Sequence, residues 1–303
     1  MSHGPYRRDF LKTATMAAVG SIGFSAPGRS AQTKSSPEAA MPRLLLGCCA
    51  YSYDKYLDLD SRKMTMEEFI LKAVDMGVAG VDMTAYYLKS TDPAYLVSLR
   101  HLAFKNGLPF SGVGAGTEMC QADPAKRAAT VAEIKNWVDV TERLGASHLR
   151  VFGGLVPKGA TEEQGIQWVV EIMKPACDYA AQKGITLGIE SHGGITSRAV
   201  TILEILRRVN SPFAGCNLDI THFLENEYAQ IEMCVPFATH THIRDHFDRG
   251  EQPIDLDRVW QIFSKAGYKG YMSAEYEGGE DPLTAVPKLV SKIKALCKKY
   301  STV

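Results

Sequence analysis

Four runs in the second half of the chain carry side chains that could hold a cation or move a proton. They are Gly188-Ile189-Glu190-Ser191-His192, Asn217-Leu218-Asp219-Ile220-Thr221-His222, Thr239-His240-Thr241-His242-Ile243-Arg244 and Ser273-Ala274-Glu275-Tyr276-Glu277. Each leaves a short apolar segment and reaches Glu190, Asp219, His242 or Glu275. A lone carboxylate after such a segment is ordinarily a helix cap or a surface charge. Three carboxylates and a histidine at equivalent places are hard to explain that way. Three carboxylates converging on one point repel one another unless a cation sits among them. Three carboxylates and one imidazole form a hard, oxygen-rich donor set. It suits one divalent ion, Mn²⁺ first, with Mg²⁺, Co²⁺ or Zn²⁺ as alternatives.

Positioning these residues requires a repeating scaffold. The chain alternates β-branched apolar segments with longer stretches of near-3.6 periodicity, the βαβα signature of a parallel sheet. The pattern predicts eight strands: Leu44–Ala50, Gly80–Met83, Phe110–Gly114, Ser147–Phe152, Thr186–Glu190, Gly215–Asp219, Thr239–Arg244 and Gly270–Glu275. Their ends recur about every 32 residues, one βα unit. Ile166, Val169, Met173, Ala176 and Ala180 form one helical stripe; Val286, Leu289, Ile293 and Leu296 form another. Asp123-Pro124 and Asp281-Pro282 read as helix starts, and Gly77, Gly107, Gly145, Gly184 and Gly267 as helix-to-strand links. The expected fold is therefore a single-domain α/β (β/α)8 TIM barrel over residues 43–303. An open doubly wound sheet would want a glycine-rich phosphate loop after the first strand, where Cys49-Ala50-Tyr51-Ser52-Tyr53 stands instead. In such a barrel, polar residues at strand C-termini point into the mouth, which is where the four runs end.

Residues 1–42 are of another kind. Tyr6-Arg7-Arg8-Asp9-Phe10-Leu11-Lys12 resembles a twin-arginine export motif, followed by an uncharged Ala/Gly/Met stretch from Thr13 to Gly28 and a linker to Pro42. The stretch is too short to span a bilayer comfortably, so it reads as a signal region, with export to the periplasm and no membrane attachment after cleavage. The 34 basic and 34 acidic residues balance, which gives no sign of the basic excess of a nucleic-acid binder. Seven scattered cysteines (48, 49, 120, 177, 216, 234 and 297), with no C-x-x-C, are expected as buried free thiols. Homo-oligomerisation is left open.

The four strand-end motifs resemble the xylose isomerase-like barrel superfamily, nearest its sugar phosphate isomerase/epimerase and ketose 3-epimerase branch, from Leu44 to about Leu296. That resemblance implies metal ligation by Glu190, Asp219, His242 and Glu275, and substrate contact by His222. It implies a sugar isomerase or epimerase working by proton transfer beside a carbonyl through a metal-stabilised enediolate, with Glu190 and Glu275 as the catalytic pair. The sequence departs from the pattern in two places. Thr196 stands where ketose epimerases carry a further Glu, and Arg244 replaces the Lys of an H-x-K-D turn that Asp245 otherwise matches. His192, two residues beyond Glu190, points to the same face and is open as base, substrate donor or loop residue. A His there resembles metal barrels that eliminate from 3-keto glycosides, so a lyase or deglycosylating enzyme is the alternative function. Arg150 is a candidate for substrate binding or a barrel ion pair. Tyr51, Tyr53, Tyr86 and Tyr87 could stack on a sugar or simply pack, while Asp245, His246 and Arg249 could line the site. His148 and His240 read as wall histidines. No basic cluster marks a phosphate subsite. An endonuclease-like phosphodiesterase would want further strand-end ligands, which Asp82, His101 and His148 do not supply at the right ends. A sugar-binding protein with a structural metal would not need both glutamates.

Overall fold

In a computed structural model, residues 43–247 and 252–301 are described. Eight parallel strands close in sequence order: β1 Arg43–Cys49, β2 Gly80–Thr84, β3 Phe110–Gly114, β4 His148–Val151, β5 Thr186–Glu190, β6 Ala214–Asp219, β7 Ala238–Ile243 and β8 Lys269–Ala274. Six residue pairs, from Arg43 with Lys269 to Cys48 with Ala274, seal β1 against β8. Around the barrel lie α1 Asp54–Leu57, α2 Met66–Met76, α3 Pro93–Lys105, α4 Pro124–Leu144, α5 Glu162–Ala181, α6 Ala199–Val209, α7 Glu227–Cys234, α8 Leu256–Lys265 and α9 Pro282–Tyr300. The fold is the expected (β/α)8 barrel. Strand bounds shift by a residue or so, and Arg244 and Glu275 fall just past their strands.

Local chemistry explains the punctuation. Asp123 and Asp281 cap α4 and α9, each accepting the backbone N–H two residues on, and such a cap contributes about 1 kcal/mol. Thr65 with Glu68 and Thr161 with Gln164 form reciprocal capping boxes on α2 and α5. The five linking glycines all take the left-handed backbone that a tight helix stop needs, with φ between 66° and 82°. The α5 stripe is buried throughout against the sheet. On α9, Val286, Leu289 and Ile293 are buried, but Leu296 is only partly covered and Cys297 closes the face. Each buried Leu or Ile there removes enough apolar surface to contribute about 1.5–3 kcal/mol.

The barrel interior carries buried polar side chains because small residues leave room. A Cβ on Gly114 would come within 2.6 Å of Arg150 Nη2, and one on Gly188 would collide with the His148 ring. His148 and His240 are indeed wall residues: their rings stack at 5.1 Å, and burial pushes both below the ordinary imidazole range. All seven cysteines are free and buried. Cys48 joins the hydrophobic layer under the helices, whereas Cys49 faces Glu275 and Thr84 inside. Among the described residues, no helix is long and apolar enough to cross a membrane.

Candidate active site

Glu190 ends β5, Asp219 ends β6, His242 lies one residue before the end of β7, and Glu275 follows β8 directly. All four are at most 4% exposed. One donor atom from each of Glu190, Asp219 and His242 lies within 4.8 Å of the others. His242 Nδ1 is 2.7 Å from Glu190 Oε1 and 3.3 Å from Glu275 Oε2, so Glu275 borders the trio through His242.

These side chains are held from behind. His242 Nε2 donates to Asp82 Oδ2 at 2.7 Å, which fixes the ring and turns Nδ1 toward the carboxylates. Asn217 Nδ2 donates to Glu190 Oε1 at 2.8 Å. The Thr221 amide and hydroxyl both donate to Asp219 Oδ1, leaving Oδ2 toward the mouth. There Asp219 Oδ2 meets Arg244 Nη2 at 3.0 Å and His222 Nε2 at 3.3 Å. The same guanidinium reaches Glu275 Oε2 at 3.1 Å and Glu277 at 2.9 Å. Burial alone would raise Asp219, but Arg244, His222 and His242 outweigh it and hold the carboxyl well below its usual range. Glu275 is pressed to about 2 when His242 and Arg244 overcome burial in the same way. Glu277, half-exposed on the rim, is raised to about 7 by burial and by Glu275 and Asp219, despite Arg244.

The donor set fits a hard divalent ion. Burial alone would lower His242, but Glu275 and Glu190 outweigh it and hold the imidazole well above its ordinary range, so Nδ1 would shed a proton to these carboxylates on binding an ion. Cys49, Asp82 and His242 make a second trio of donor atoms. That trio is the weaker candidate. Asp82 is already engaged by His242 Nε2, and burial pushes the Cys49 thiol up to about 12, so it stays protonated.

Above these residues opens a pocket of about 260 Å³, lined by Tyr51, Tyr86, Arg150, Phe152, Glu190, His192, Arg244, Glu275 and Glu277. Arg150 lines it and is also paired, with Nε 3.5 Å from Glu190 Oε2, Nη2 donating to the Tyr86 hydroxyl, and its plane 4.0 Å over Phe152. The His192 ring lies between Phe152 and His222, at 4.3 and 4.5 Å, and burial lowers its pKa. Thr196, in the place of the missing Glu, accepts from the His192 amide and donates to Gly193 O, pinning this loop.

Other candidates do not reach the pocket. Tyr53 is fully buried, its hydroxyl on Met76, because the 3₁₀ turn over Ala50–Tyr53 sends Tyr51 to the mouth and Tyr53 into the core. Tyr87 is mostly buried behind Tyr51 and Tyr86. Asp245 turns away to Lys292 on α9 and to the exposed His246. Arg249 and the twin-arginine segment lie outside the described residues. The sequence reading missed three contributors: Asp82 as orienter of His242, Phe152 as a pocket wall, and Glu277 as a rim acid. An acid inside the apolar run Gly80-Val81-Asp82-Met83 was the available signal for the first.

A family model described as xylose isomerase-like TIM barrel matches residues 70–296. The chain belongs to that family. No curated protein sequence matches it. Among solved structures, a D-psicose 3-epimerase determined in the presence of D-fructose superposes with a TM-score of 0.69 at 18% identity, covering 84% of this chain and 97% of that one. An IolI protein with a bound zinc atom gives 0.69 at 16% identity, covering 86% and 100%. A 3-keto-D-glucoside 4-epimerase from E. coli gives 0.66 at 14% identity, covering 84% and 99%. At such identities the superpositions establish the family's fold for this chain.

Proposed function

We propose that this member of the xylose isomerase-like family is a divalent-metal-dependent sugar isomerase or epimerase, moving a proton at the carbon beside a carbonyl. The carrying observation is that two buried carboxylates, Glu190 and Glu275, flank His242 Nδ1 and line one pocket. A divalent ion held by Glu190, Asp219, His242 and Glu275, Mn²⁺ by preference, would supply the positive charge that acidifies that C–H. Glu190 removes the proton through Oε2, which Arg150 Nε approaches at 3.5 Å. Glu275 serves the other face. Arg150 and His222 hold substrate oxygens, and Tyr51 and Tyr86 offer ring faces to the sugar. The ketose and keto-glucoside epimerases among the structural neighbours support this reading.

A second reading has one observation in its favour. His192 stands at the mouth edge with Thr196 fixing its loop, well placed as a base for elimination from a 3-keto glycoside. Free ketoses and 3-keto glycosides incubated with Mn²⁺ in D₂O separate the two. Deuterium at one carbon without fragmentation is the isomerase or epimerase result; a released aglycone or an unsaturated sugar would reject it for the lyase. We further propose that Arg7 and Arg8 direct export to the periplasm, and that the substrate is a small sugar, not nucleic acid or a membrane. Arg7→Lys with Arg8→Lys should leave folded protein in the cytoplasm; periplasmic double variant would refute the export reading.

A further inference from the structure

A second cavity, of about 320 Å³, adjoins the active-site pocket and shares Phe152 and His192 with it. It is built by the loops after β3, β4 and β5, which bring Thr117, Glu118, Leu155, Gly193 and Gly194 to its walls. Two glycine pairs make its floor. Ile195 N donates to Gly154 O at 3.0 Å, and Met119 N and Cys120 N both donate to Gly153 O, so three loops meet backbone to backbone. A Cβ on Gly154 would collide with the Glu118 carboxylate, and one on Gly194 with Gly154 O. The loops can therefore close up only as glycines, and what they present is flat peptide surface. On the rim, Glu118 Oε1 accepts from Leu155 N at 3.0 Å, which steadies the carboxylate.

From this geometry we infer that the outer cavity is a second carbohydrate subsite, so that the substrate is a two-unit sugar or glycoside. The inference rests on reading the inner pocket as a sugar site. The flat peptide surface of the glycine pairs suits the apolar face of a pyranose, and the Glu118 carboxylate accepts from its hydroxyls. Among the described residues, no Lys or Arg lines the cavity, and Glu118 is acidic, so a phosphate or carboxylate group is disfavoured there. Phe152 and His192 stand at the junction, where the linkage between the two units would pass. His192 is thereby placed beside the bond joining the units.

The test is sugar affinity by titration calorimetry with Mn²⁺, comparing D-fructose with turanose, palatinose and lactulose, disaccharides that keep a ketose unit. At least one disaccharide should bind roughly tenfold or more tightly than D-fructose, the yield of one further hydrogen bond with ring contact. Glu118→Gln weakens the acceptor while keeping a group for Leu155 N. Leu155→Trp fills the cavity from a residue 71% exposed, so folding is not at stake. Both should abolish the disaccharide advantage and leave D-fructose binding unchanged. If no disaccharide binds more tightly than D-fructose, or the variants weaken both sugars equally, the subsite is refuted. If the advantage is present and lost in the variants while no sugar is turned over, the subsite stands and the isomerase reading fails.

Discussion

Asp82→Asn is the substitution that most directly tests how the donor set is organised. Asp82 lies on β2, 160 residues from His242, and touches it through one 2.7 Å hydrogen bond deep in the barrel. Despite full burial, His240 and His242 keep Asp82 well below the usual carboxylate range, so it is an anion facing imidazoles. Asparagine has the same shape and can still accept from Nε2, but it removes the charge that makes Nδ1 a better donor. It can also flip and offer its amide, which would place the hydrogen on Nδ1 and block ligation. Loss of such a supporting carboxylate weakens metal binding by roughly 10–100-fold, or about 1.4–2.7 kcal/mol. Mn²⁺ affinity measured by competition with a chelator reads this directly. Asp82→Asn binding Mn²⁺ as tightly as the unaltered protein would mean that His242 does not ligate through Nδ1, and the arrangement argued above would be wrong.

Three further outcomes are expected. Glu190→Gln and Asp219→Asn should each lower both bound metal and turnover, and elemental analysis of a fully loaded Asp219→Asn protein would remove that residue from the site. The seven cysteines should react with a thiol reagent only after denaturation, since all are buried and free; labelling of native protein within minutes would contradict this. His148 is kept neutral by burial, so its folded pKa lies below its unfolded value of 6.5. The unfolded chain then binds the proton more readily, and stability is lost as pH falls below about 6.5. With EDTA present, the melting temperature should drop from pH 7.5 to 5.5, and drop less in His148→Gln; equal slopes would exclude His148 as the source.

Most of the scaffold was legible in the sequence because each physical constraint leaves a local mark. A strand buried on both faces must be an apolar run, and a helix ending tightly before it needs a left-handed residue, which the five glycines supply. The closeness of Glu190, Asp219, His242 and Glu275 was legible for a related reason. A charged group can interrupt an apolar strand only where other charges meet it, and four such interruptions at strand ends imply one meeting point. What could not be read depends on relations across the barrel. The role of Asp82 exists only because β2 and β7 face each other inside. Tyr51 and Tyr53 look equivalent until the 3₁₀ turn sends them to different surroundings. Asp245 fits its motif in sequence, yet Lys292 draws it outward.

Arg244 yields an expectation opposite in sign to that for Asp82. Its Nη2 lies 3.0 Å from Asp219 Oδ2 and 3.1 Å from Glu275 Oε2. A divalent ion and this guanidinium draw on the same oxygens. Arg244→Met therefore removes a competitor for the metal and, in chelated protein, removes the cation that makes the buried carboxylates tolerable. Breaking a buried pair by deleting one partner costs about 3–5 kcal/mol, so the chelated variant should melt well below the unaltered protein. Adding Mn²⁺ should restore more stability than it adds to the unaltered protein, because stabilisation grows with the logarithm of ion concentration over dissociation constant. The measurement is the difference in melting temperature with and without Mn²⁺, larger in Arg244→Met and smaller in Asp82→Asn. If Arg244→Met instead loses metal as Asp82→Asn is expected to, the guanidinium holds Asp219 and Glu275 in place for the ion. Competition for their oxygens would then be the wrong description of it.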